Sequence, residues 1–145
     1  MEVKVVSGDI TGLSINAIIV NLFEGVKKPG GATGTVDKAL DGLITKLISE
    51  GEIKGKQNEL TLIHSMGKIA PERVIVAGLG KEEKLTLSVI RGVTAEACRF
   101  LRRVGATQVA TIAHGAGVGG IDAEKSAQAV TEGALLGLYL SLIHI

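Results

Sequence analysis

The run Ala17-Ile18-Ile19-Val20 is continuously apolar and ends on the polar Asn21. A strand of this kind is buried on both faces, so the chain must supply a sheet and helices to cover each side of it. A tight turn, Gly8-Asp9-Ile10-Thr11-Gly12, precedes the strand, and a further apolar stretch, Val3–Val6, precedes the turn. After Asn21 the cluster Pro29-Gly30-Gly31-Ala32-Thr33-Gly34 leads into a helical pattern. Ligands of open α/β sheets bind beyond the carboxyl ends of the strands. Asp9, Asn21 and the glycines therefore form the candidate site.

The remaining pattern alternates. In Thr35–Glu50 the residues Val36, Leu40, Leu43, Ile44, Leu47 and Ile48 fall on one helical face, which predicts a single helix. Thr33 or Thr35 is its expected cap, Asp37 suits its first turn, and Gly51 ends it. Leu60–Ile63 reads as a strand nearer an edge, and Ile69–Glu72 as a turn around Pro71. Arg73–Gly78 is a second buried strand, and Leu87–Val104 an amphipathic helix with Thr86 as cap and Gly105 as stop. Gln108–Ala113 is a third strand, running into His114-Gly115-Ala116-Gly117-Val118-Gly119-Gly120. Asp122 then caps a last helix, Ala123–Tyr139. Ile18, Ile19, Val20, Val74, Ile75, Val76, Val109 and Ile112 are expected in central or near-central strands, most of them deeply buried. The fold class is α/β, three layers, with helices on both faces of a mostly parallel sheet.

Length and composition limit what such a fold can do. At 145 residues the chain holds one domain with a substantial core. Aromatic residues are only 2%, so Val, Ile, Leu and Ala must build that core. A net charge of +1 argues against an electrostatic footprint for nucleic acid, while leaving anion binding by backbone amides open. The lone Cys98 forms no intramolecular disulfide and fits a reducing compartment. No apolar run suits a signal peptide or the roughly 20 residues of a membrane span, so a soluble cytoplasmic protein is expected.

Both glycine-rich loops follow a strand and precede a helix. Glycine there lets the backbone approach a ligand, and the first-turn amides of the helix favour an anion. The alternative is that both are merely tight turns in a glycine-rich chain. Neither loop is a dinucleotide fingerprint or a P-loop. Among other conspicuous residues, Cys98 reads as a small packing residue and His64 as a hydrogen-bonded turn residue. Asp37 and Asp41, four apart, share a helix face and are read as ordinary helix charge. Arg99, Arg102 and Arg103 read as a solvated helix end. His114 stands out because it opens the second glycine loop, with a chemical role set against a structural one.

Val5–Asn21 together with Gly30–Leu40 resembles the start of a macro domain, the ADP-ribose-binding module. That likeness implies that Asp9 and Ile10 meet adenine and that Asn21 lies beside the ribose. Gly30, Gly31 and Gly34 would line one side of the diphosphate, with Gly115, Gly117 and Gly119 on the other. Where the macro pattern has a second Asn, three residues after Asn21, this chain has Glu24, so ADP-ribosyl hydrolysis ranks behind binding. A closer resemblance covers nearly the whole chain. Asn21–Gly25, Leu40-Asp41-Gly42, Gly55-Lys56, Val76–Thr86 and Glu132–Tyr139 are similar to the N-terminal domain of the cytosolic leucyl aminopeptidases, which is itself macro-like.

The aminopeptidase resemblance implies a non-catalytic module over residues 1–139, with a structural or assembly role inside a hexamer. Its partners would be a catalytic C-terminal domain, holding two divalent metal ions, and sister subunits. The Asn-Thr-Asp-Ala-Glu-Gly-Arg motif of that catalytic domain does not occur in this sequence. His64, His114, His144 and Cys98 have no metal-ligand spacing, so neither a metal site nor a catalytic residue is expected in this chain. After Tyr139 the tail Leu140-Ser141-Leu142-Ile143-His144-Ile145 departs from the family pattern.

Overall fold

The computed structural model describes residues 9–143. The predicted strand Val3–Val6 lies outside the described residues. The Asp9 turn is a short 3-10 helix, Ile10–Gly12, whose first amides are capped by the Asp9 side chain. Strand β1, Ala17–Phe23, leads to helices α1, Gly31–Ala39, and α2, Leu43–Ser49. Strands β2, Leu60–His64, and β3, Arg73–Gly80, follow, then helix α3, Leu87–Arg103. Strand β4, Val109–Thr111, and helix α4, Ala123–Ile143, complete the chain, and α4 passes Tyr139 without a break. The strand order is β2-β3-β1-β4. β1 runs parallel to β3 and β4, while β2 is antiparallel to β3 at the edge.

Two strands serve two cores. Along β1, Ile18, Val20 and Leu22 face one side with Val36, Leu40 and Ile44 of the α1–α2 layer. Ala17 and Ile19 face the other, with Val93, Ala97 and Leu101 of α3. β3 alternates in the same sense, Val74 and Val76 against Ile75, Ala77 and Leu79. The period of two thus sorts an unbroken apolar run onto two faces. Six of the expected central residues, Ile18 to Val20 and Val74 to Val76, are fully buried. Val109 is not: it is 39% exposed, because β4 is short and pairs with β1 on one side only among the described residues. Ile112 lies past the end of β4 and is half-buried.

The single helix expected over Thr35–Glu50 is two. Asp41 (φ 58°) and Gly42 (φ 79°) take left-handed backbone and turn the chain between α1 and α2. The apolar spacing survives the corner because both helices lie on the same core. Asp37 is buried, not a first-turn surface charge: its carboxylate accepts from the backbone and hydroxyl of Thr45 and pins α2 to α1. Gly30, not Thr33 or Thr35, caps α1. Thr86 does cap α3, accepting from the Val89 amide at 3.2 Å, and Asp122 accepts from the Lys125 amide at 2.7 Å. At the amino edge of the sheet the Asn16 Oδ1 accepts from Thr107 N, Thr107 Oγ1 and Gln108 N, which starts β4 in register.

The Glu132–Gly137 run has a packing explanation. Gly133 and Gly137, one turn apart, let the backbone of α4 rest on the backbone of α3. A Cβ on Gly133 would penetrate the Arg91 carbonyl oxygen, and one on Gly137 would lie 2.6 Å from that of Ala95. Gly78 does the same where the Gly55–Glu59 connector crosses the end of β3, and Gly55 lies as closely against the Phe23 carbonyl at the end of β1. There the Gly80 amide donates to Gly55 at 2.9 Å and the Gly78 amide to Glu59 at 2.7 Å.

Two glycine-to-alanine changes on these helices should have opposite signs. Gly92, on the exposed face of α3, has open space where a Cβ would go. Gly92→Ala should stabilise by about 0.5–1 kcal/mol through reduced unfolded-state entropy. Gly133→Ala has the same propensity gain but meets backbone, so it should destabilise by about 1–3 kcal/mol. Urea unfolding followed by far-UV circular dichroism measures both.

Candidate functional site

Asn21, where β1 approaches its carboxyl end, is the point at which the two glycine loops meet. Its carbonyl accepts from Thr33 Oγ1 at 2.7 Å, which ties the first glycine loop and α1 to the strand. Its side-chain Nδ2 lies 2.9 Å from His114 Nδ1 and donates to it. With Nδ1 accepting, the ring proton sits on Nε2, which donates to Thr111 Oγ1 at 2.8 Å. Ser126 Oγ, in the first turn of α4, donates to the His114 carbonyl at 2.6 Å. The His114 ring therefore joins β1 to β4, and the carbonyl of the same residue holds the second loop to α4.

His114 is fully buried, and that burial pushes its pKa down to about 4. It is neutral at pH 7, and both ring nitrogens are engaged. The arrangement is that of a structural latch, not of an exposed acid or base, which decides between the two roles the sequence left open. Thr111 and Ser126 were not singled out from the sequence. Only the fold brings a strand-end threonine to the ring and a helix hydroxyl to the carbonyl of the same residue.

The glycines themselves are placed as follows. Gly30 is extended at the start of α1, Gly31 is left-handed (φ 56°), and Gly34 packs so closely that a Cβ would lie 2.8 Å from the Pro29 carbonyl oxygen. In the second loop Gly115, Gly117 and Gly119 are all left-handed, at φ 72°, 89° and 56°. The loop folds on itself: the Gly117 amide donates to Ile121 at 2.7 Å and the Val118 amide to Gly115 at 3.0 Å. Those amides are already used. Asp9 is exposed, and its Oδ1 accepts from Thr11 N at 2.9 Å and Thr11 Oγ1 at 2.8 Å. The backbone bond, then the hydroxyl bond, hold its carboxyl below the usual carboxylate range. Ile10 packs on the core beside Val36.

Glu24 lines a separate concavity of about 350 Å³ at the carboxyl ends of β1 and β3, together with Phe23, Val26, Lys81, Glu82 and Glu83. Among the described residues no three His, Cys, Asp or Glu side chains gather as a metal site. His64 is exposed at the end of β2. Cys98 packs partly buried on α3, and burial raises its thiol to about 11, which keeps it protonated and unreactive near neutral pH.

The His114 latch sets a pH dependence. Unfolded, the imidazole takes up a proton near pH 6.5; folded, it does so only near pH 4. Between these values the unfolded chain binds more protons, so this contribution is intact above about pH 6.5 and is lost as the pH falls toward 4. The total loss should be a few kcal/mol, at about 1 kcal/mol per pH unit. Urea midpoints of the wild type and His114→Gln, compared from pH 7 to pH 4.5, should converge as the pH falls.

Known proteins share both the sequence and the shape. Residues 19–141 match the N-terminal domain of the cytosol aminopeptidase family. A probable cytosol aminopeptidase of Alkaliphilus metalliredigens is 36% identical over 139 residues, which are 96% of this chain and 28% of that protein. The chain thus spans under a third of the length of such relatives. A variant of tomato leucine aminopeptidase superposes over 88% of this chain and 26% of its own, at TM-score 0.66 and 19% identity. The Oceanobacillus iheyensis macrodomain with ADP superposes over 89% of this chain and 72% of its own, at TM-score 0.70 and 14% identity. The solved structures support a macro-domain-like fold, and no helix among the described residues is long and apolar enough to cross a membrane. By sequence, the chain belongs to the cytosol aminopeptidase family as its N-terminal domain.

Proposed function

We propose that the chain acts as a non-catalytic structural module of a metal-dependent aminopeptidase. The observation that carries this reading is the use made of the residues shared with the family. Gly133 and Gly137 seat α4 on α3, Gly78 lets the connector cross β3, and Gly55 lets it lie against the end of β1. The Leu40-Asp41-Gly42 run forms the corner between α1 and α2. Residues of the family pattern thus serve packing and chain reversal rather than bond cleavage. The module covers residues 1–139, with 140–145 as a tail outside the pattern. Its partners are a catalytic domain carrying two divalent metal ions and sister subunits of a hexamer, and the assembly removes N-terminal amino acids from peptides in the cytoplasm. Among the described residues no side chains gather as a metal pair, and no step of that hydrolysis is assigned to them.

A second reading is supported by the convergence of both glycine loops on Asn21. In it Asp9, Ile10, Asn21, Gly30, Gly31, Gly34, Gly115, Gly117 and Gly119 hold ADP-ribose or a related nucleotide. Asp9 is charged, and its Oδ2, which accepts from none of the described residues, suits an adenine amino group. Against it stand the Gly117 and Val118 amides, bonded within their loop, and Asn21 Nδ2, occupied by His114. The structural reading ranks first.

Two measurements separate the readings. The purified chain with added zinc, manganese or cobalt should not hydrolyse leucine p-nitroanilide, and metal-dependent turnover that survives removal of contaminants would refute the first reading. Calorimetric titration with ADP-ribose at low salt should give no heat at millimolar ligand. Micromolar binding abolished by Asp9→Ala would promote the second reading above the first.

A further inference from the structure

Three non-glycine residues of the described chain have left-handed backbone, Asp41 (φ 58°), Asn58 (φ 67°) and Met66 (φ 54°). Asp and Asn tolerate that region because their short polar side chains bond locally; a methionine does not. Met66 is followed by Gly67 at φ 82°, and the Lys68 amide closes the turn onto the Ser65 carbonyl at 3.1 Å. Two successive positive φ angles make this a tight reversal whose first central position suits Gly, Asn or Asp. Met66 also stands 85% exposed, the most exposed of the large apolar side chains among the described residues. A strained backbone and a solvated apolar side chain coincide at one residue, and the fold gains from neither.

The surroundings give the coincidence a direction. Met66 lines a hollow of about 280 Å³ with Leu40 and Leu43 at its apolar base and Lys46 and Lys68 on its rim. Lys68 is paired with Asp41 across the hollow, which joins the Ser65–Lys68 turn to the corner between α1 and α2. That pair neutralises itself, so Lys46 leaves the lining with an excess positive charge, beside the exposed His64.

We propose that this hollow is a docking surface for an extended segment of a partner protein bearing an apolar side chain flanked by carboxylates. The apolar side chain packs between Met66 and the leucines, and the carboxylates meet Lys46 and the rim. Methionine suits such a contact because its unbranched, polarisable side chain adapts to the shape of the group it meets. The proposal is independent of either reading of the glycine loops, since it uses none of their residues.

The sequence contains two methionines, Met1 and Met66, so methyl-13C-methionine labelling places one reporter in the hollow. Titration with acetyl-Glu-Leu-Glu-amide should shift the Met66 methyl signal saturably, and acetyl-Lys-Leu-Lys-amide should bind at least tenfold more weakly. Lys46→Glu should reverse that preference. Met66→Asn supplies the residue that the turn favours, so it should raise the urea midpoint while weakening the acidic peptide at least fivefold, read by polarisation of a labelled peptide. No saturable shift at millimolar peptide, or equal binding of both peptides, would overturn the proposal. So would a lowered urea midpoint in Met66→Asn, or a methyl shift that follows protein concentration without peptide, which would assign the face to a second copy of the chain.

Discussion

Burial of β1 and β3 on both faces is the constraint from which the rest follows. A strand with no solvent-facing side needs a helical layer above and below, and the alternation of Ile18, Val20 and Leu22 with Ala17 and Ile19 assigns each layer its share. With aromatic residues at 2%, those layers must close on short branched side chains. Elements then have to approach closely to leave no voids, since a void forfeits dispersion contacts along its whole lining. Where backbone meets backbone, at α3 with α4 and at β3 with its connector, glycine is the residue that fits. At those crossings glycine and the scarcity of aromatics are two sides of one packing solution.

The same constraint explains the polar interior. Placing Asn21 near the carboxyl end of a doubly buried strand carries an amide into the region between sheet and loops, where its groups need partners. Thr33 serves the carbonyl and His114 the side chain, and His114 in turn satisfies Thr111 and Ser126. A buried imidazole held neutral is compatible with this environment, whereas a charged one is not. What resembles a ligand site from its glycines is therefore, at its centre, already bonded to itself.

The elements that a single period defines were legible in the sequence. The buried strands at Ile18–Val20 and Val74–Val76, the Thr86 and Asp122 caps and the edge position of Leu60–Ile63 all follow from local pattern. The corner at Asp41 was not, because the apolar spacing of Val36, Leu40 and Ile44 reads the same through a bend when both halves lie on one core. The exposure of Val109 was not legible either, because apolar character marks a strand without saying where in the sheet it lies. Of the candidate site, the glycines and Asn21 were visible as types. The roles of His114, Thr111 and Ser126 depend on contacts between segments up to 93 residues apart, which no local pattern encodes.

The order of strands carries a kinetic consequence. β1 is the earliest of the described strands in the chain, yet it lies inside the sheet, with Ala17 beside Arg73 on one side and Val109 on the other. Its amides and carbonyls therefore wait for both later segments before they are paired, and each closure is a long loop whose entropy cost precedes its reward. The β2–β3 hairpin, by contrast, joins neighbours and can form alone. Folding should then begin at the hairpin and admit β1 late. Until it does, Ile18, Ile19 and Val20 remain an uncovered apolar strand, the segment through which an incompletely folded chain would associate with another.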